Sequence, residues 1–66
     1  KVTFKINNIN SLSLIKERLN QKGSSEVIII FEDKSSGIYS FALNSRLKIK
    51  QKDIEFLENN HVKSYF

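Results

Sequence analysis

The sequence predicts a small α+β domain, a two-layer sandwich with two helices on one face of a mostly antiparallel sheet, and three observations carry that prediction. The stretch Glu26-Val27-Ile28-Ile29-Ile30-Phe31-Glu32-Asp33 holds five consecutive apolar residues, three of them isoleucine. This run is too short to span a membrane and too β-prone for a surface helix, so it reads as a strand covered on both faces. Val2-Thr3-Phe4-Lys5-Ile6 alternates apolar and polar residues, as a strand with one buried face does. Between these runs, Leu12, Ile15 and Leu19 recur at helical spacing. A short chain has little material with which to cover two sheet faces, so one face is expected to want company.

In chain order, Val2, Phe4 and Ile6 turn to the core, while Lys1, Thr3 and Lys5 turn outward. Asn7-Asn8 break the strand, because Asn tolerates turn backbone and bonds to it. Asn10 or Ser11 caps the first helix by accepting a bond from a free amide at its start. Leu14 flanks the apolar stripe, and Lys16, Glu17, Asn20 and Gln21 take the wet side. Gly23 stands where a left-handed C-terminal cap is wanted. Ser24-Ser25 lead into the apolar strand.

Glu32-Asp33-Lys34-Ser35-Ser36-Gly37 is a polar turn, longer than a two-residue hairpin loop. Ile38-Tyr39-Ser40-Phe41-Ala42-Leu43 returns antiparallel, and its larger set, Tyr39, Phe41 and Leu43, is expected to pack on the helices. Arg46-Leu47-Lys48-Ile49-Lys50 alternates again as a short strand or extended arm, with Leu47 and Ile49 inward. Asp53, Ile54, Phe56 and Leu57 fit a second helix, whose N-terminal end Asp53 and Glu55 favour electrostatically. Asn59-Asn60 stop it, and Val62-Lys63-Ser64-Tyr65-Phe66 closes as a strand with Val62, Ser64 and Phe66 on one side. The order β-α-β-β-(β)-α-β suits a split βαβ, or ferredoxin-like, arrangement.

At 66 residues the chain is one domain, residues 1–66, near the size at which a single core only just offsets chain entropy. It has no Cys, which excludes a disulfide, a thiolate zinc site and a cysteine nucleophile. The absence of Cys fits a reducing, cytoplasmic setting. The first residue is Lys1, and the opening residues already read as strand, so a domain excised from a longer protein is expected. No apolar run approaches membrane-spanning length. The net charge is +4 and the isoelectric point about 9.6, a modest excess that serves solubility and permits contact with an acidic partner.

No catalytic constellation stands out. His61 is the only histidine and has no second His or Cys with which to share a metal. Glu32 and Asp33 are adjacent, so in a strand they point to opposite faces and cannot act as a carboxylate pair. Gly23 and Gly37 stand alone, and neither opens a phosphate-binding loop. No cofactor site is expected.

Two surface features remain. Lys1, Lys5, Arg46, Lys48, Lys50 and Lys63 all face outward in alternating segments. Placed on one sheet face with Tyr65, they can follow a phosphate backbone while the ring stacks a base. That is the alternative function, a small basic nucleic-acid-binding module. The other feature is the surplus apolar face of the central strand. If Val27, Ile29 and Phe31 pack on the helices, Ile28 and Ile30 lie on the open face with Ile38, and such a patch marks a contact surface. A small-molecule regulatory domain would need a pocket with polar anchors, and the sequence shows none.

The run Leu14-Ile15-Lys16-Glu17-Arg18-Leu19, followed by Gly23 and Val27-Ile28-Ile29-Ile30-Phe31, resembles the last domain of the bacterial DNA polymerase III alpha subunit. In that family a helix leads through a glycine to an apolar strand. A hairpin strand follows, then a stretch similar to Arg46-Leu47-Lys48-Ile49, a helix similar to Asp53-Ile54-Glu55-Phe56-Leu57, and a closing strand similar to Val62-Lys63-Ser64-Tyr65-Phe66. The resemblance covers nearly the whole chain. It implies a non-catalytic C-terminal domain of a DNA-directed DNA polymerase, docking the tau subunit of the clamp loader during DNA replication and touching DNA only indirectly or weakly. No family residue carries over as catalytic. On physical grounds the expected partner-binding residues are Ile28, Ile30, Ile38, Tyr65 and Phe66, with Lys5, Arg46, Lys48, Lys50 and Lys63 as possible nucleic-acid contacts.

Overall fold

The computed structural model describes residues Lys1–Phe66. Its elements run β1 (Val2–Ile6), α1 (Asn10–Arg18), β2 (Lys22–Ser25), β3 (Val27–Asp33), β4 (Gly37–Ala42), α2 (Gln51–Asn59) and β5 (Lys63–Tyr65). Four strands form one sheet in the order β4-β3-β1-β5. β1 and β3 are parallel neighbours, with Val2 beside Val27 and Phe4 beside Ile29. The β1–β5 and β3–β4 pairings are antiparallel. The α+β class, the two helices and the mostly antiparallel sheet are those the sequence predicts.

Within that class the βαβ unit is closed rather than split, since no strand is inserted between β1 and β3 and the hairpin strand β4 takes the edge. Burial explains the choice. β3 is apolar on both faces, and an interior position removes more of that surface from water than an edge would.

The pleat sends alternate residues to opposite faces, and one face carries the core. Val2, Phe4 and Ile6 of β1 and Val27 and Ile29 of β3 are buried there against Ile15, Leu19, Ile54, Leu57 and Val62. Leu12, Leu14, Phe31, Leu43, Leu47, Ile49 and Phe56 pack around its rim. Both helices therefore lie over the central strand pair.

β4 lies outside that cover. By register Phe41 sits beside Ile29 and Tyr39 beside Phe31, on the helix side. Yet Tyr39 is 49% and Phe41 41% exposed, so of the set expected to pack on the helices only Leu43 reaches the core. Tyr39 instead stacks on Phe31, with centroids 6.3 Å apart. A crossover between neighbouring strands lays its helix over those strands, and β4 is beyond its reach.

The ends of α1 also differ from expectation. Neither Asn10 nor Ser11 caps it; the Asn8 Oδ1 accepts a bond from the Asn10 amide at 2.9 Å, one turn position earlier. Gly23 is not a left-handed cap but lies within β2, where a Cβ would come 2.5 Å from the backbone N and Cα of Lys48. Its role is close approach. The segment after β4 crosses there as an extended arm, with Leu47 bridging Lys22 and Ser25. The Lys48 amide donates to the Gln21 carbonyl at 2.8 Å and the Gly23 amide to the Arg46 carbonyl at 3.2 Å. Of strand or arm, the two forms the alternation allows, it is an arm.

α2 is anchored at both ends. The Asp53 carboxylate reaches back to accept the Lys50 amide at 3.1 Å and takes the Arg18 Nε at 3.0 Å, so one side chain caps α2 and ties it to α1. At the C-terminal end the Val62 amide donates to Leu57 and the His61 amide to Glu58, the two bonds of a Schellman turn. The left-handed residue is His61, at φ 65°, rather than Asn59 or Asn60. Buried Val62 and Leu57 supply the apolar contact of that motif, and this fixes the stop two residues past Asn59. His61→Gly is accordingly expected to raise stability by about 1 kcal/mol, because glycine takes positive φ without steric cost. A chemical-denaturation midpoint that falls for this variant would show that the histidine ring contributes more than its backbone costs.

Candidate docking surface on the open sheet face

The face opposite the helices follows from the registers. Across the sheet from β4 to β5, one row reads Ala42, Ile28, Thr3, Tyr65, and the next reads Ser40, Ile30, Lys5, Lys63. Ile38 stands beside Glu32 in a third, shorter row. No element covers this face. Ile28 and Ile30 are half-buried by their own neighbours in the sheet. Ile38 is 70% exposed.

The face divides by strand. Its β3–β4 half is mainly apolar, built on Ile28, Ile30, Ile38 and Ala42, with Ser40 among them and Glu32 at its end. Its β1–β5 half is polar, with Thr3, Lys5, Lys63 and Tyr65. Lys5 forms an ion pair with Glu32 across the boundary. Sequence reasoning missed that pair because it treated Glu32 as a turn residue; only the β1–β3 register, which runs Lys5 beside Ile30 and Ile6 beside Phe31, brings the carboxylate alongside. Asp33 does serve the turn, accepting the Ser35 amide at 3.0 Å.

Of the partner-binding candidates, Ile28, Ile30, Ile38 and Tyr65 therefore share one face, Tyr65 at its far edge. Phe66 does not belong to it. The residue lies past the end of β5 and is 85% exposed, and the strand alternation gives Ser64, two residues before it, to the helix side, beside Phe4. The alternation that sets Val62, Ser64 and Phe66 on one side of the last strand already separated Phe66 from Tyr65.

The basic residues are not gathered. Lys5 and Lys63 are cross-strand partners on the open face. Lys48 and Lys50 instead lie near Glu17, Arg18 and Asp53, at the helix layer, and the Arg46 Nη1 donates to the Ser24 carbonyl at 3.2 Å.

Concavities are broad and open, with no enclosed cavity among them. The largest, about 560 Å³, runs along Asn7, Glu58, His61 and Lys63 to Tyr65. No group of three His, Cys, Asp or Glu side chains converges as a metal ion needs. The Arg18 guanidinium stands 4.5 Å over the Phe56 ring while its Nε holds Asp53, an arrangement that joins the helices. No helix is long and apolar enough to cross a membrane.

Fold and surface together define the class: a two-layer α+β domain with an uncovered, half-apolar sheet face. Compared with protein-family models, with curated proteins and with solved structures, the chain matches none.

Proposed function

We propose that this chain is a non-catalytic docking domain that binds a protein partner through the β3–β4 half of its open sheet face. The observation that carries the proposal is the juxtaposition of Ile38, largely exposed, with Ile28 and Ile30 on a face that has no covering layer. Contiguous apolar surface of this kind gains free energy on contact with a complementary surface, at about 25 cal/mol per Å² removed from water.

The resemblance stated above supplies the partner and the setting. The domain would belong to the catalytic subunit of a bacterial replicative DNA polymerase, work in the cytoplasm and dock the tau subunit of the clamp loader. The parent chain would carry the nucleotidyl transfer, far from this domain. The nucleic-acid alternative is favoured only by Tyr65 beside the Lys5–Lys63 pair, and Glu32 already partners Lys5.

Mixing with purified tau subunit tests the proposal by calorimetry. An apolar interface should hold its affinity as salt is raised, whereas a phosphate-tracking interface loses it steeply. Ile30→Glu, which sets a carboxylate beside Lys5 in the same row, should weaken the complex by about 2 kcal/mol or more, roughly 30-fold in Kd. Absence of any complex, with the preceding domain included in the protein, would remove the proposed partner. Binding unaffected by Ile30→Glu would remove the proposed surface.

A further inference from the structure

We propose that a second copy of this chain pairs antiparallel along the free edge of β4, joining the two sheets into one. The inference stands on the backbone of the edge and does not rest on the docking reading above.

β4 is an edge strand without the devices that keep edges apart. Such strands are ordinarily short, or carry lysine, proline or a bulge. β4 pairs with β3 in unbroken register from Gly37 to Ala42, and no charged residue or proline occurs from Ser35 to Ser45. The opposite edge is different. β5 is three residues long and begins with Lys63. One edge of the sheet is protected and the other is bare.

The hydrogen-bond phase of β4 selects the partner. The Leu43 amide donates to the Val27 carbonyl at 2.9 Å, and the same register sets Phe41 beside Ile29 and Tyr39 beside Phe31. In an antiparallel ladder the direction of these groups alternates along the strand. Leu43, Phe41 and Tyr39 therefore turn their amides and carbonyls to β3, while Ile38, Ser40 and Ala42 turn theirs outward.

A two-fold axis at Ser40, perpendicular to the sheet, matches this pattern to itself. Ser40 pairs with Ser40 of the second copy and Ile38 with Ala42 of the second copy, so every outward amide and carbonyl is bonded. Moving the axis to Tyr39 or Phe41 leaves an end residue unpaired. With the axis at Ser40, Tyr39 falls opposite Phe41 of the second copy in the non-hydrogen-bonded positions, where side chains approach most closely. The two aromatics that the helices leave uncovered thus cover one another across the axis. On the open face, Ile38 falls beside Ala42 of the second copy, and the two apolar halves become one strip. The contact is isologous and closes on itself, so it makes a dimer and not a fibre.

Sedimentation velocity on the 66-residue chain tests this from about 10 µM to about 1 mM, the range suited to an interface smaller than the standard size. The mass is expected to rise with concentration toward twice 7.7 kDa. Ser40→Pro removes an amide that the chain's own sheet does not use, and Ser40→Lys sets two cations against each other at the axis. Each should weaken dimerisation at least about tenfold with the far-UV circular dichroism unchanged; if the proline variant fails to fold, the lysine variant decides. Ile30→Glu should leave the dimer intact. A chain that stays monomeric to the highest concentration overturns the proposal. So does a dimer that folded Ser40 variants keep at full affinity, or one that Ile30→Glu dissolves.

Discussion

Phe4→Ala is expected to leave the chain largely unfolded at physiological temperature. Phe4 is fully buried in the middle of β1, between Ile29 on one side and Ser64 on the other. Deleting a buried phenylalanine ring costs about 3–5 kcal/mol, from lost transfer and the cavity left behind. At about 0.05–0.15 kcal/mol per residue, a domain of 66 residues has roughly 3–10 kcal/mol in all. With no disulfide to restrict the unfolded chain, nothing else offsets the loss. Urea denaturation followed by circular dichroism measures it, with Thr3→Ala, on the open face of the same strand, as the control that should change little. A loss below about 1 kcal/mol for Phe4→Ala would mean that the core can collapse around the gap, contrary to close packing of strand on helix.

Gly23→Ala is expected to cost about 2–3 kcal/mol, the upper range for forcing an extra methyl into packed surroundings. The added Cβ would meet backbone atoms of Lys48 and Leu47, which cannot rotate away as a side-chain tip can. The whole arm would have to shift, and with it the bonds from Lys48 to Gln21 and from Gly23 to Arg46. Gly23→Asn makes the prediction sharper. Asparagine is tolerated in a left-handed cap but carries the same Cβ, so a close approach penalises it as much as alanine. If the asparagine variant keeps the parent's denaturation midpoint, Gly23 is acting through its backbone angles and the crossing described here is wrong.

Gly23 is also where reading the sequence and seeing the fold part company. A glycine a few residues after a helix has two uses, a left-handed stop or a place where backbones cross, and both leave the same mark in the sequence. The second depends on a segment more than twenty residues away, Arg46 to Lys48, that no local pattern connects to it. His61 failed in the reverse direction. Its left-handed backbone belongs to a turn that glycine or asparagine usually makes, and the buried contact of Val62 with Leu57 decided which residue took it. In both cases a tertiary contact overrode a local preference.

The open apolar face was legible because it follows from alternation. Once Val27 and Ile29 face the helices, Ile28 and Ile30 must face away, whatever the strand order. The exposure of Tyr39 and Phe41 was not legible, because alternation assigns a face and says nothing about how far the covering layer extends. The scattering of Arg46, Lys48 and Lys50 away from Lys5 and Lys63 was hidden for a related reason. Outward is a direction relative to one's own segment, and segments in different layers have different outsides.

What the sequence by itself determined is the two helices, the four strands of the sheet, their order along the chain and which of their residues are apolar-facing, since these depend on periods of two and of about 3.6 residues that short-range geometry imposes; β2, a polar segment paired only with the arm, carried no such period. What only the tertiary structure decided is which strands became neighbours. That choice set β3 inside and β4 at the edge, paired Lys5 with Glu32 and left Ile38, Ser40 and Ala42 with their amides and carbonyls unpaired along the sheet's free side. Pairing between strands is settled by competition for burial over the whole chain, and the more apolar strand takes the interior position because it removes the larger surface from water.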